Sequence, residues 1–187
     1  FVMGYKFCIF SLGGSLGATK IKAAVAELIK SDCDSEEIYH IHATGKFDYE
    51  DFMGWMKDAE IETENYSNLD IREYIDNMPV CLAAADIVIC RSGAITLSEI
   101  QCAGKASILI PSPNVAENHQ YYNALEMVER DAAFMLEEKN LTGEALIEKV
   151  EELCKSPQRL LEVGSNAKQM AIMDTAKRIA DKLQEMV

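Results

Sequence analysis

The chain has 187 residues, and its 31 acidic against 18 basic side chains leave a formal charge of −13. That length fits one domain, or at most two small ones, large enough to bury a core without a disulfide or metal staple. With 49% hydrophobic and 26% charged residues it is neither disordered nor a coiled coil, and a pI near 4.6 excludes a nucleic-acid binder working through a basic field.

Cys8, Cys33, Cys81, Cys90, Cys102 and Cys154 form no C-x-x-C pair and have no histidine at zinc spacing. Most stand in apolar runs, where a free cysteine behaves as a small core hydrophobe, which implies a reducing, cytoplasmic compartment. No apolar run approaches the ~20 residues of a membrane span, and no signal peptide opens the chain. It starts without an initiator Met and passes almost at once into a strand, which reads as one half of a larger protein.

In chain order, strands are predicted at 6–12, 37–43, 61–66, 86–90, 107–111 and 132–136. Helices are predicted between them at 19–30, 49–57, 78–85, 94–103, 119–130 and 142–155. Ile87, Val88 and Ile89, and again Ile108, Leu109 and Ile110, are continuous apolar runs. Strands buried on both faces read this way, so the alternation predicts an α/β class fold: a doubly wound, Rossmann-like parallel sheet. From 157 to 187 a terminal helix or helix pair follows. In it Ile172, Ala176, Ile179 and Leu183 make one apolar stripe, which packs on this domain or docks on another.

Three segments carry chemistry. Gly13-Gly14-Ser15-Leu16-Gly17-Ala18 joins the first strand to the first helix. Glycines there let an anion reach the amides, and the helix N-terminus adds free N–H donors and positive partial charge. It is neither the G-x-G-x-x-G of nicotinamide-binding folds nor a Walker loop. Arg91-Ser92-Gly93-Ala94-Ile95-Thr96-Leu97-Ser98-Glu99 leaves a buried strand and opens a helix. Ser92 suits an N-cap and Gly93 gives access to the first-turn amides. Glu99 is either a ribose ligand, the role an acidic residue plays in dinucleotide folds, or a solvated helix carboxylate. Asn118-His119-Gln120-Tyr121-Tyr122-Asn123 follows a Pro111-Ser112-Pro113 loop at the edge where open α/β sheets collect ligands. Its amides and imidazole suit sugar hydroxyls, or merely begin a helix. No Cys/His cluster at metal spacing appears, so no metal and no cofactor is expected, and helix ends would hold an anionic ligand.

Together the motifs G-G-S-L-G-A (13–18), Y-I-D-N-M (74–78), A-A-D-I-V-I-C-R-S-G-A-I-T-L-S-E (84–99) and H-Q-Y-Y-N-A (119–124) resemble the carboxyl-terminal domain of the MurG family. The resemblance covers essentially the whole chain. It implies the UDP-GlcNAc-binding half of a GT-B glycosyltransferase, with 157–187 a terminal helical segment and the amino-terminal acceptor domain absent. The implied reaction is inverting transfer of N-acetylglucosamine from UDP-GlcNAc to lipid I, making lipid II for peptidoglycan. The roles it implies are cell-wall biogenesis, cell shape, division and the cell cycle, at the cytoplasmic face of the membrane.

By the same resemblance Gly14 and Ser15 meet the donor diphosphate, and the Ile75 backbone reads the uracil edge. Ala94, Ile95, Thr96, Leu97 and Ser98 line ribose and diphosphate, Glu99 takes the ribose hydroxyls, and His119 and Gln120 hold the sugar with Asn123 behind them. The catalytic base, lipid I and the membrane contact are expected in the absent half, so the fragment alone is expected to be inactive, with no nucleic-acid partner. Two alternatives stay open: the short subunit of a split dolichol-linked transferase, and a noncatalytic nucleotide-sugar-binding module.

Overall fold

The computed structural model describes residues 4–13 and 19–186. Six strands form one fully parallel sheet: β1 (Phe7–Leu12), β2 (Ile38–Ala43), β3 (Leu69–Arg72), β4 (Ile87–Cys90), β5 (Ala106–Leu109) and β6 (Phe134–Met135). Their order is β3-β2-β1-β4-β5-β6, the doubly wound arrangement that reverses direction between β1 and β4. The register there sets Ile9 beside Ile87, Phe10 beside Val88 and Ser11 beside Ile89.

Alternation along the strands sorts two cores. Phe7, Ile9, Ile87, Ile89 and Ile108 face α1 (Thr19–Asp32), α2 (Tyr49–Asp58) and α6 (Gly143–Cys154). Cys8, Phe10, Val88, Cys90 and Leu109 face α3 (Met78–Ala84), α4 (Ala94–Ala103) and α5 (His119–Glu129). Burying each of the Phe, Ile, Leu and Val side chains among them contributes roughly 1.5–3 kcal/mol. α7 (Pro157–Gln169) crosses beside the C-terminus of α4, where Gly104 ends that helix in the left-handed region (φ +66°). The Gly104 N–H reaches the Gln101 carbonyl at 3.1 Å and the Lys105 N–H reaches Ile100 at 3.2 Å, a Schellman motif.

Two expectations need correction. Residues 61–66 are not a strand: Thr63–Asn65 is a 3₁₀ turn, and the strand lies at Leu69–Arg72. Asn68 sets that entry, its amide donating to the carbonyls of Asp32 (3.0 Å) and Ile38 (3.1 Å). The terminal stripe does not pack on this domain either. In α8 (Thr175–Glu185) no residue is buried, and Ile179 and Leu183 are 56% and 59% exposed. Among the described residues no helix is long and apolar enough to cross a membrane.

Candidate functional site

All six strands run the same way, so every strand-to-helix loop opens on one edge of the sheet. α1, which follows β1, and α4, which follows β4, lie on opposite faces of the sheet, so the winding reverses there and a crevice opens at the switch point. Of the residues predicted for it, Gly14 and Ser15 lie outside the described residues.

The β4 side is fully described. Buried Cys90 ends the strand, and Gly93, extended at φ −71° and ψ 144°, precedes α4 with no side-chain cap. The N-cap is therefore Gly93 and not Ser92. The Ser92 hydroxyl is fully buried and donates instead to the Gln120 carbonyl at 2.7 Å. With the Leu97 N–H taken by the Gly93 carbonyl (3.0 Å), the helix geometry leaves the N–H groups of Ala94, Ile95 and Thr96 pointing out of the first turn. That is an uncapped anion cradle with the helix dipole behind it.

Other predicted residues of this helix divide. Leu97 is 6% exposed and packs in the core, so it supports the helix from beneath. The exposed Ser98 hydroxyl bonds back to the Ala94 carbonyl at 2.9 Å. Glu99 is half-buried in the second turn of α4, and burial, with Glu99 as a lesser cause, pushes the Cys90 thiol up to about 12.

The β5–α5 loop closes against this turn. Asn123 donates its amide to the Ser92 carbonyl at 3.1 Å, and the Gln120 amide oxygen accepts from the Ser112 N–H at 2.9 Å. The Gln120 amide is thereby oriented, and among the described residues its NH₂ meets no acceptor. His119 is exposed at the start of α5 and its Nδ1 lies 3.0 Å from the Ala116 carbonyl. Ahead of it Glu117 and Asn118 both take positive φ, turning the chain sharply into the helix. Gly93, Gln120 and Asn123 thus meet on one patch.

On the other side of β1, Leu12, Ala43, Phe47, Tyr74, Ile75 and Met78 line an open, mainly apolar cavity of about 410 Å³. The Ile75 side chain is buried beneath it, while Phe47 and Tyr74 stand 87% and 71% exposed at its rim. The structure so separates Ile75, in this cavity, from the α4 and α5 group across the crevice.

Two features escaped the sequence reading. Arg91 forms a buried ion pair with Glu138 and donates to the Ile110 carbonyl at 3.1 Å, tying the ends of β4 and β5 to the loop after β6. Phe47 was equally unmarked. No short-range signal pairs Arg91 with a glutamate that distant, and an exposed aromatic in a loop looks ordinary.

A fully parallel, doubly wound α/β domain of this kind has the Rossmann-like fold found in GT-B glycosyltransferases. Residues 8–179 match the glycosyltransferase family 28 C-terminal domain, and the chain belongs to that family. A protein of Desulforamulus reducens is 41% identical over 165 residues, 88% of this chain and 44% of its own. It is named UDP-N-acetylglucosamine–N-acetylmuramyl-(pentapeptide) pyrophosphoryl-undecaprenol N-acetylglucosamine transferase. The crystal structure of Acinetobacter baumannii MurG superposes with a TM-score of 0.80 at 28% identity, over 96% of this chain and 50% of that one. UDP-GlcNAc 2-epimerase of Neisseria meningitidis, solved with UDP-GlcNAc, shares the fold alone, with a TM-score of 0.66 at 13% identity over 98% of this chain and 45% of that one. The chain spans about half the length of the curated relatives it matches.

Proposed function

We propose that this chain is the donor-binding half of the inverting transferase that moves N-acetylglucosamine from UDP-GlcNAc to lipid I, forming lipid II in peptidoglycan synthesis. One observation carries the reading. A 41% identity to a transferase of that name coincides with an uncapped helix N-terminus at the switch point of a nucleotide-type sheet.

In this reading the N–H groups of Ala94, Ile95 and Thr96, with Gly14 and Ser15 opposite, hold the diphosphate. They stabilise the charge that grows on it as UDP leaves; a well-aimed donor in such a site is worth about 2.7–4 kcal/mol of barrier. Leu97 and Ser98 shape that helix turn. Glu99 accepts the two ribose hydroxyls, and the free NH₂ of Gln120, with His119 beside it, holds the sugar. Asn123 acts through Ser92. The apolar cavity under Phe47 and Tyr74 takes the uracil, whose edge meets the Ile75 backbone.

The acceptor hydroxyl, its base and the membrane contact belong to a second domain. Ile179 and Leu183 on the exposed face of α8, together with Ile172 just before that helix, dock on that domain; the relatives have the length for it. The whole protein then works peripherally on the cytoplasmic face of the membrane, serving wall growth, cell shape and division.

Calorimetric titration of the chain with UDP-GlcNAc, UDP-glucose, UDP and NADH tests the donor assignment. UDP-GlcNAc should bind in preference, and Glu99→Ala should cost about 1–3 kcal/mol by removing paired hydrogen bonds. A preference for NADH, or an unchanged affinity in Glu99→Ala, overturns the reading. Transfer to lipid I by the 187-residue chain alone would overturn the assignment of the base to the other half.

A further inference from the structure

The turn that floors the apolar cavity is braced from outside. Residues 73–77 leave the edge strand β3 and enter α3. Among the described residues, Tyr74, Ile75 and Asp76 make no backbone hydrogen bond, so their peptide groups are unspent. A segment with so few internal bonds should wander, yet both of its ends are fixed.

Arg72, at the end of β3, lays its guanidinium along Asp70, with Nε donating to Oδ1 at 2.8 Å and Nη2 to Oδ2 at 2.5 Å. Its remaining arm, Nη1, donates to Asn77 Oδ1 at 2.9 Å, across the turn. Asn77 precedes α3 but makes no side-chain cap, its oxygen being drawn away to Arg72 and to the buried Cys81 thiol (3.4 Å). On the sheet side, the Thr44 N–H holds the Arg72 carbonyl at 3.0 Å and the Gly45 N–H holds Glu73 at 3.1 Å. Asp70 locks two arms of a planar fork and so aims the third, which a lysine could not copy.

We propose that Arg72 is a positioning residue for base selection. Through Asp70 and Asn77 it fixes the Tyr74–Ile75–Asp76 peptide groups, so that their donors and acceptors match one pyrimidine edge before the ligand arrives. This rests on the donor-site reading, in which the cavity takes uracil. Arg72 touches no ligand: its effect is pre-organisation of a segment that would otherwise be ordered at the ligand's expense.

The test is the ratio of UDP to CDP affinity, since the two ligands differ only at the base edge. It is measured by titration for the full chain and for Arg72→Met, Arg72→Lys and Asn77→Ala, with urea unfolding to confirm that each variant is folded. Arg72→Met should lower UDP affinity about 10-fold and shrink the UDP/CDP ratio towards one. Arg72→Lys should not rescue it. Asn77→Ala should reproduce the loss, and the double variant should be no worse than either single one, because both cut one brace. A folded Arg72→Met or Asn77→Ala chain that keeps the wild-type ratio overturns the inference and leaves the donor site standing. A wild-type chain indifferent to the base overturns both.

Discussion

Ser11 has one hydroxyl proton and two imidazoles to satisfy: His40 Nε2 at 2.9 Å and His42 Nδ1 at 2.8 Å. It can donate to only one ring and must accept an N–H from the other, so the tautomer of one ring fixes that of the other, and burial keeps both neutral. Burial pushes each histidine down to about 3, and His42 also sits near the buried Lys22. Both stay unprotonated in the folded chain and take up protons only on unfolding, so stability falls as pH drops through the unfolded value near 6.5. Asp32 opposes this. Burial and then Glu151 raise its carboxyl to about 6, so between about pH 6 and 4 the folded state holds a proton there that the unfolded state lacks. Two protons taken up on unfolding against at most one released from Asp32 leave a net loss on acidification. Urea midpoints should fall from pH 6 to pH 4, with a slope of at least about 1.4 kcal/mol per pH unit. In Asp32→Asn the slope should steepen towards twice that, and a slope of opposite sign would show that the imidazoles are charged in the fold.

At the level of elements, α7 reaches α4 only because two glycines meet. A Cβ on Gly164 would stand 2.5 Å from the Gly104 carbonyl oxygen, which is backbone and cannot swing aside. Gly164→Ala must push the helices apart, and overpacking of this kind costs about 1–3 kcal/mol, to be read as a lower urea midpoint with an unchanged denaturant slope. Nothing in a lone glycine within a helical stretch announces such a contact. The strongly periodic elements were legible for the opposite reason. Runs such as Ile87–Cys90 are buried on both faces and carry no competing signal. β3 was not, because an edge strand reading Leu-Asp-Ile-Arg is only half-buried and its charged positions are depleted in strands. The neighbouring run 61–66, with β-branched Ile61 and Thr63 and aromatic Tyr66, has the more strand-like composition yet holds the 3₁₀ turn Thr63–Asn65. In the candidate site, the α4 amides could be foreseen from Gly93 and the following helix. Ser92 could not, because its choice of the Gln120 carbonyl over a cap depends on where α5 lands.

For the whole molecule, the charge of −13 and a dianionic donor make an ionic-strength argument with a definite sign. Repulsion from a net charge acts over the Debye length, about 30 Å at 0.01 M salt and about 8 Å at 0.15 M. The attraction at the first turn of α4 acts at contact and fades within that turn. Salt therefore removes the long-range penalty on approach while leaving the bound state nearly alone. Stopped-flow binding of UDP-GlcNAc should show an association rate constant that rises between 0.01 and 0.15 M salt, by less than about 10-fold, with dissociation little changed. A site worked by a basic field would behave the other way, losing association rate as salt rises. Lys46 at the rim of the apolar cavity, and Lys20 and Lys139 around a second cavity at the same edge, are the cations able to produce that opposite result. A falling rate in the wild type that reverses in Lys46→Gln would place the encounter under the control of that lysine instead of under the net charge.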